Sequence, residues 1–161
     1  VDQSQLDQNL SYVNLAREEG CEVIGGERLD GPGYFQSPAI FVGATNQMRV
    51  SREEIFGPCA SVIKVADYDE ALAIANDTDF GLAAAVWTSN LARAHRMSRE
   101  LRAGTVWINT PLLRDLRAPF GGFRDSGIGR DGPRQCAEFY SEEKAAIFAR
   151  GKAPIRRLGS T

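Results

Sequence analysis

The chain has 161 residues, the length of one ordinary domain, and two large domains are excluded. Hydrophobic residues make up 43% and charged residues 25%, with 16 glycines and 7 prolines, a composition that builds a core and excludes a disordered, collagenous or low-complexity chain. A formal net charge of −2 implies neither a general nucleic-acid surface nor a polybasic membrane anchor, so small molecules and other protein are the expected partners.

No apolar stretch approaches the roughly 20 residues that cross a bilayer, and the start carries no basic region followed by an apolar run, which points to the cytoplasm. Cys21, Cys59 and Cys136 are odd in number and widely spaced, as expected of reduced, buried, inert thiols. Zinc is not expected, because there is no CxxC and His95 is the single histidine. Val1 has no Met before it and runs directly into a helical pattern, the expectation for a piece of something longer.

Taken in order, the first element reads as a helix capped by Ser4, with Leu6, Leu10 and Val13 on one face and Gly20 as its stop. Short strands follow around residues 21–24 and 39–42, separated by Gly25-Gly26 and Gly31-Pro32-Gly33 turns. Strand and helix then alternate. Strands are expected at about 59–65, 83–87 and 105–108, with a helix from Asp67 (capping box Asp67 and Glu70; apolar face Tyr68, Ala71, Leu72, Ala75) and another from Asn90 (face Leu91, Ala94, Ser98, Leu101). Two βαβ units in a row imply a parallel sheet with right-handed crossovers, whose ligands bind beyond the strand C-termini. The long Gly-rich loop from Asn109 to about Gly132 is therefore the first place to look for function, with Leu112, Leu113, Leu116 and Phe120 as apolar anchors. A short helix over 133–139, an orphan strand over 144–148 and a basic tail to Thr161 complete the reading.

Several residues admit two readings. In Ser51-Arg52-Glu53-Glu54-Ile55-Phe56-Gly57-Pro58, Glu54 either closes a capping box with Ser51 or accepts two hydrogen bonds from a ribose diol, with Phe56 offering a face to a flat heterocycle. Arg114 and Arg117 either pair with Asp115 or hold a substrate carboxylate by two parallel hydrogen bonds. Gly121-Gly122 and Ser126-Gly127-Ile128-Gly129 read as turn glycines more readily than as a phosphate cradle, since no GK[ST] follows. His95 reads as a partly buried structural imidazole, and Trp87 and Trp107 as strand aromatics in the core.

Five ordered blocks carry a resemblance: residues 53–58 (EEIFGP), 75–83 (ANDTDFGLA), 104–109 (GTVWIN), 119–122 (PFGG) and 126–130 (SGIGR). Together they resemble the C-terminal third of NAD(P)-dependent aldehyde dehydrogenases over nearly the whole chain to about residue 148. The segment 109–120, with Leu113-Arg114-Asp115-Leu116-Arg117, is most similar to the branch that oxidises 2-hydroxymuconic and related carboxylated semialdehydes. The resemblance implies that Glu54 binds the nicotinamide ribose, Phe56 meets the nicotinamide ring, Arg114 binds the substrate carboxylate and Phe120 forms an aromatic wall of the aldehyde pocket.

The implied fold is α/β, the C-terminal part of the catalytic domain with a parallel sheet and flanking helices (1–132), then a C-terminal helix and oligomerisation strand (133–150) and a tail (151–161). In that family a cysteine thiolate attacks the aldehyde, hydride passes to NAD or NADP, and a glutamate activates water to hydrolyse the thioester. The motifs for that cysteine and glutamate, and the dinucleotide-binding domain, precede the matched region. No catalytic residue is therefore expected in this chain, and the isolated chain is expected to be inactive. Expected partners are the remainder of the enzyme, a small aldehyde and further subunits in a dimer or tetramer, but neither nucleic acid nor membrane. The alternative is a non-catalytic oligomerisation or interaction module that uses residues 144–148.

Overall fold

The computed structural model describes residues 2–110 and 112–152, so Val1 and most of the predicted tail, residues 153–161, lie outside the described residues. Helix α1 spans Gln3–Glu18. Its cap is Asp2, not Ser4: the Asp2 carboxylate accepts the Gln5 backbone N–H at 2.9 Å, and the Ser4 hydroxyl donates to the same oxygen at 2.8 Å. A carboxylate there also meets the positive end of the helix dipole, and the earlier start keeps Leu6, Val13 and Ala16 on one buried face.

Strands β1 (Glu22–Gly25), β2 (Ala39–Val42) and β3 (Cys59–Val62) form one sheet in the order β1-β2-β3. The β1–β2 pair is antiparallel, with Glu22 opposite Val42, and β2–β3 is parallel, with Ala39 opposite Cys59. Alternation along β2 puts Ala39 and Phe41 against α1, where Phe41 is fully buried among Val13, Ala16 and Val50. A buried Phe of this kind stabilises by about 1.5–3 kcal/mol.

Between β2 and β3 lies α2 (Arg49–Arg52), whose N-cap residue Met48 makes no side-chain cap bond. The cap comes from a distance. Glu19, at the end of α1, accepts the Arg49 N–H at 2.9 Å and the Val50 N–H at 3.3 Å. The predicted Ser51 and Glu54 capping box is not formed, since the helix starts at Arg49, so that Ser51 sits inside it and Glu54 lies past its end.

Helix α3 (Tyr68–Asn76) is capped by Asp67, which accepts the Glu70 N–H at 2.9 Å, while Glu70 reaches back to the Ala66 N–H at 2.6 Å. Strand β4 (Ala83–Val86) runs parallel to β5 (Thr105–Ile108), joined through α4 (Leu91–Glu100). The expected continuous sheet is absent: β3 and β4 do not pair, so the described strands form two sheets, one of them mixed. Alternation of strand and helix specifies order along the chain and leaves adjacency open, because consecutive strands are neighbours only about two-thirds of the time. Side chains link the units instead. Asn46 donates to the Asp77 backbone carbonyl and carboxylate, each at 2.7 Å, and Arg52 pairs with that carboxylate at 2.9 Å.

The second core gathers Leu72, Val86, Met97 and Leu101. The α4 face is thus Ala94, Met97 and Leu101, and Leu91 and Ser98 are exposed, contrary to the expected face. His95 is exposed, and Trp87 is 66% exposed; neither belongs to the core. Helix α5 spans Pro133–Tyr140, and residues 144–148 form no strand, because among the described residues no neighbouring strand offers them a ladder.

The PFGG block is a backbone contact. A Cβ on Gly104, at the entry to β5, would collide with the carbonyl oxygen of Gly121, so the loop closes onto the strand only because Gly104 lacks a side chain. Gly104→Ala is expected to cost about 1–3 kcal/mol, as overpacked sites do. Urea unfolding followed by circular dichroism measures it, and an unchanged midpoint would show the loop free to retreat.

Candidate functional site

Residues 53–57 are held by one polar face of α1. Tyr12 donates its hydroxyl to Glu53 at 2.7 Å, and Arg49 grips the same carboxylate through Nε at 2.7 Å and Nη2 at 3.0 Å. The Gln5 amide reaches the carbonyls of Ile55 and Phe56, each at 3.4 Å, and hydrogen-bonds Asn9 at 3.0 Å. Gly57 packs on the Asn9 amide so closely that a Cβ would lie 2.5 Å from it. Gln5, Asn9 and Tyr12 are spaced i, i+4, i+7, a stripe beside the apolar face. They bear on a backbone that is itself unusual, since Phe56 is left-handed at φ 56° with its ring 78% exposed.

This geometry settles Glu54 as an exposed carboxylate outside any helix. It shares a shallow depression of about 460 Å³ with Phe56, and the buried Ser51 hydroxyl, which also lines it, has no hydrogen-bond partner among the described residues. Acceptor, flat ring and unpaired hydroxyl form a donor and acceptor set suited to a ribose and an attached heterocycle.

The second cluster stands at the C-terminal ends of β4 and β5. Asn109, left-handed at φ 52°, accepts the Thr88 N–H at 2.7 Å and donates to the Thr88 carbonyl at 2.7 Å. Beyond it, the Arg114 guanidinium lies over the Phe120 ring, its Cζ 4.5 Å from the ring centroid. Arg117 is occupied: Asp115 takes its Nε at 2.9 Å and its Nη2 at 2.7 Å, and that ion pair holds the Asp115 carboxyl below the usual range. Arg114 makes no such pairing among the described residues, so geometry distinguishes the two arginines where spacing alone leaves them equal. Arg114, Phe120 and Trp107 line one cavity of about 530 Å³. Leu112, Leu113 and Leu116 are 73–77% exposed and do not anchor the loop by burial.

A third depression, about 520 Å³, joins the two clusters, sharing Glu54 with the first and Leu82 and Ala83 with the second. Its far wall explains the ANDTDFGLA block: Asn76 bonds the Glu100 carbonyl at 2.9 Å and the Arg102 N–H at 2.8 Å, and Ser126 accepts the Gly81 N–H at 2.9 Å. Arg124 donates to the carbonyls of Asn76 and Thr78. The thiols stand outside this track or are unsuited to attack, since burial pushes Cys21 and Cys59 above the ordinary thiol value.

Residues 1–146 match the Aldehyde dehydrogenase family. The chain belongs to that family. It is 44% identical over 152 residues to a betaine aldehyde dehydrogenase of Cereibacter sphaeroides, covering 94% of this chain and 32% of that protein. It superposes on the aldehyde dehydrogenase KauB of Pseudomonas aeruginosa with a TM-score of 0.85 at 47% identity, covering 90% of this chain and 30% of that one. The indole-3-acetaldehyde dehydrogenase AldA of P. syringae, solved with NAD+ and IAA, gives 0.84 at 44% identity, covering 88% and 29%. The chain therefore spans about a third of the length of these relatives.

Two site features escaped the sequence reading. Trp107, assigned to the core, is a half-buried pocket wall, and the Gln5, Asn9 and Tyr12 stripe was passed over as a lead-in helix. Three polar side chains at helical spacing beside a buried face were the available signal.

Arg49 first, and then Tyr12, hold the Glu53 carboxyl below the ordinary glutamate value. A carboxyl depressed on folding contributes stability that is present above its unfolded pKa and lost as pH falls through its folded one. Amide exchange of residues 53–57 is expected to accelerate below the ordinary glutamate range, and Glu53→Gln to abolish that acid step. An acid step that survives the substitution would assign it to another group.

Proposed function

We propose that this chain supplies the C-terminal third of an NAD(P)-dependent aldehyde dehydrogenase, contributing part of the nicotinamide site and the wall of an aldehyde pocket that accepts a carboxylated semialdehyde. The observation that carries the substrate assignment is Arg114, laid over Phe120 in the pocket with its donors unengaged among the described residues while Arg117 is paired with Asp115. A planar guanidinium binds a carboxylate by two parallel hydrogen bonds, so the end of the substrate distant from the aldehyde is recognised by charge.

The Glu54 carboxylate and the Phe56 ring, both exposed, would hold the nicotinamide ribose and ring, the first by accepting hydrogen bonds from hydroxyls and the second by offering an aromatic face. The bound NAD(P) supplies the hydride acceptor. The nucleophilic thiolate and the general base come from the rest of the enzyme, consistent with the raised thiols of Cys21 and Cys59. The span 144–148, where Ile147 is 95% and Phe148 87% exposed, supplies a strand that pairs with a further subunit.

The isolated chain with NAD and a muconic semialdehyde is expected to show no turnover by absorbance at 340 nm. Enzyme-like rates would place the nucleophile within it. In the full-length enzyme, Arg114→Leu is expected to raise KM for carboxylated semialdehydes tenfold or more, the loss of a charged hydrogen bond of about 1.5–3 kcal/mol, and to leave neutral aldehydes unchanged. Equal effects on both classes would return Arg114 to a structural role.

A further inference from the structure

The loop that carries Arg114 has almost nothing to hold it. Leu112, left-handed at φ 51°, is 77% exposed, and Leu113 and Leu116 are 73% and 76% exposed, so burial does not fix the turn. The internal bonds of residues 112–118 are local: Arg117 to Asp115 and the Ala118 N–H to the Asp115 carbonyl at 3.0 Å. Local bonds shape the turn and leave it free to swing.

One bond ties it to the scaffold. Trp107, in β5, donates its indole N–H to the carbonyl of Leu113 at 2.7 Å, and among the described residues this is the sole hydrogen bond from the interior of the loop to a sheet residue. Leu113 immediately precedes Arg114. At the other end Phe120 is fixed by two backbone bonds with Asp131, each 2.7 Å, so the ring beneath the guanidinium stands on its own support. The ring face is therefore set by the Asp131 bridge, and the position of the guanidinium over it by the indole.

We infer that Trp107 is a specificity-positioning residue: its indole N–H, by holding the Leu113 carbonyl, keeps Arg114 where a substrate carboxylate meets it. The inference rests on the reading of Arg114 given above. It accounts for a tryptophan, where phenylalanine would fill a pocket wall equally well, because the indole alone adds a donor on the correct edge. Neutral aldehydes, which make no demand on the guanidinium, gain nothing from this bond.

Trp107→Phe keeps an aromatic wall and removes the donor. Hydrogen exchange on the 161-residue chain is expected to show faster exchange in residues 112–118 and unchanged exchange in β4 and β5. In the full-length enzyme the same substitution is expected to raise KM for a carboxylated semialdehyde about three- to tenfold more than it raises KM for propanal, the range of one neutral hydrogen bond. Unaltered loop exchange overturns the tether. Faster exchange with equal KM changes for both aldehydes overturns its role in specificity. If Arg114→Leu proves neutral while loop exchange in Trp107→Phe rises, the carboxylate reading fails and the tether is upheld.

Discussion

Asn109 grips Thr88 by both amide atoms, and the site depends on that pair. β4 and β5 are only four residues each, too short for their ladder alone to fix how the chain leaves them. By bonding the N–H and the carbonyl of one residue just past β4, the Asn109 amide locks the two exits together and imposes the left-handed turn from which the loop carrying Arg114 departs. A shift of this pair would displace Leu113, Arg114 and the guanidinium together, because none of the described residues between them and β5 is buried.

The two halves of the site are secured by the same kind of device. Glu54 and Phe56 sit on a segment braced by Tyr12, Gln5 and Asn9, and Arg114 on one braced by Trp107; in both, a functional side chain is exposed and its neighbour in sequence carries the bond. This division leaves the exposed side chains unencumbered. A Glu54 that served as a cap, or an Arg114 paired as Arg117 is, would have its polar atoms committed before any ligand arrived.

Local signals were legible and relations between distant segments were not. Asp67 with Glu70, Asn90 and the run Thr105 to Ile108 each declare themselves within a few residues, and each stands where periodicity and capping chemistry put it. The Ser51 capping box failed because the helix begins at Arg49, whose N–H is met by Glu19, 30 residues away. The continuous sheet failed because alternation does not encode which strands touch. Trp87 and Trp107 look alike in sequence, both near the end of an apolar strand, yet the one is exposed and the other lines the cavity, a difference set by the loop that returns over β5. Spacing alone leaves Arg114 and Arg117 equal; the resemblance points to Arg114, and Asp115 turns toward Arg117.

The division into two sheets bears on how the molecule assembles. Gly25 pairs with Ala39 and Ala83 with Thr105, so strand partners lie 14 to 22 positions apart, and no described ladder joins the first sheet to the second. Closing such short intervals is entropically mild, and each sheet has its own apolar cluster to condense upon. The halves can therefore order independently, and the Asp77 contacts with Asn46 and Arg52 then act as a latch between preformed pieces.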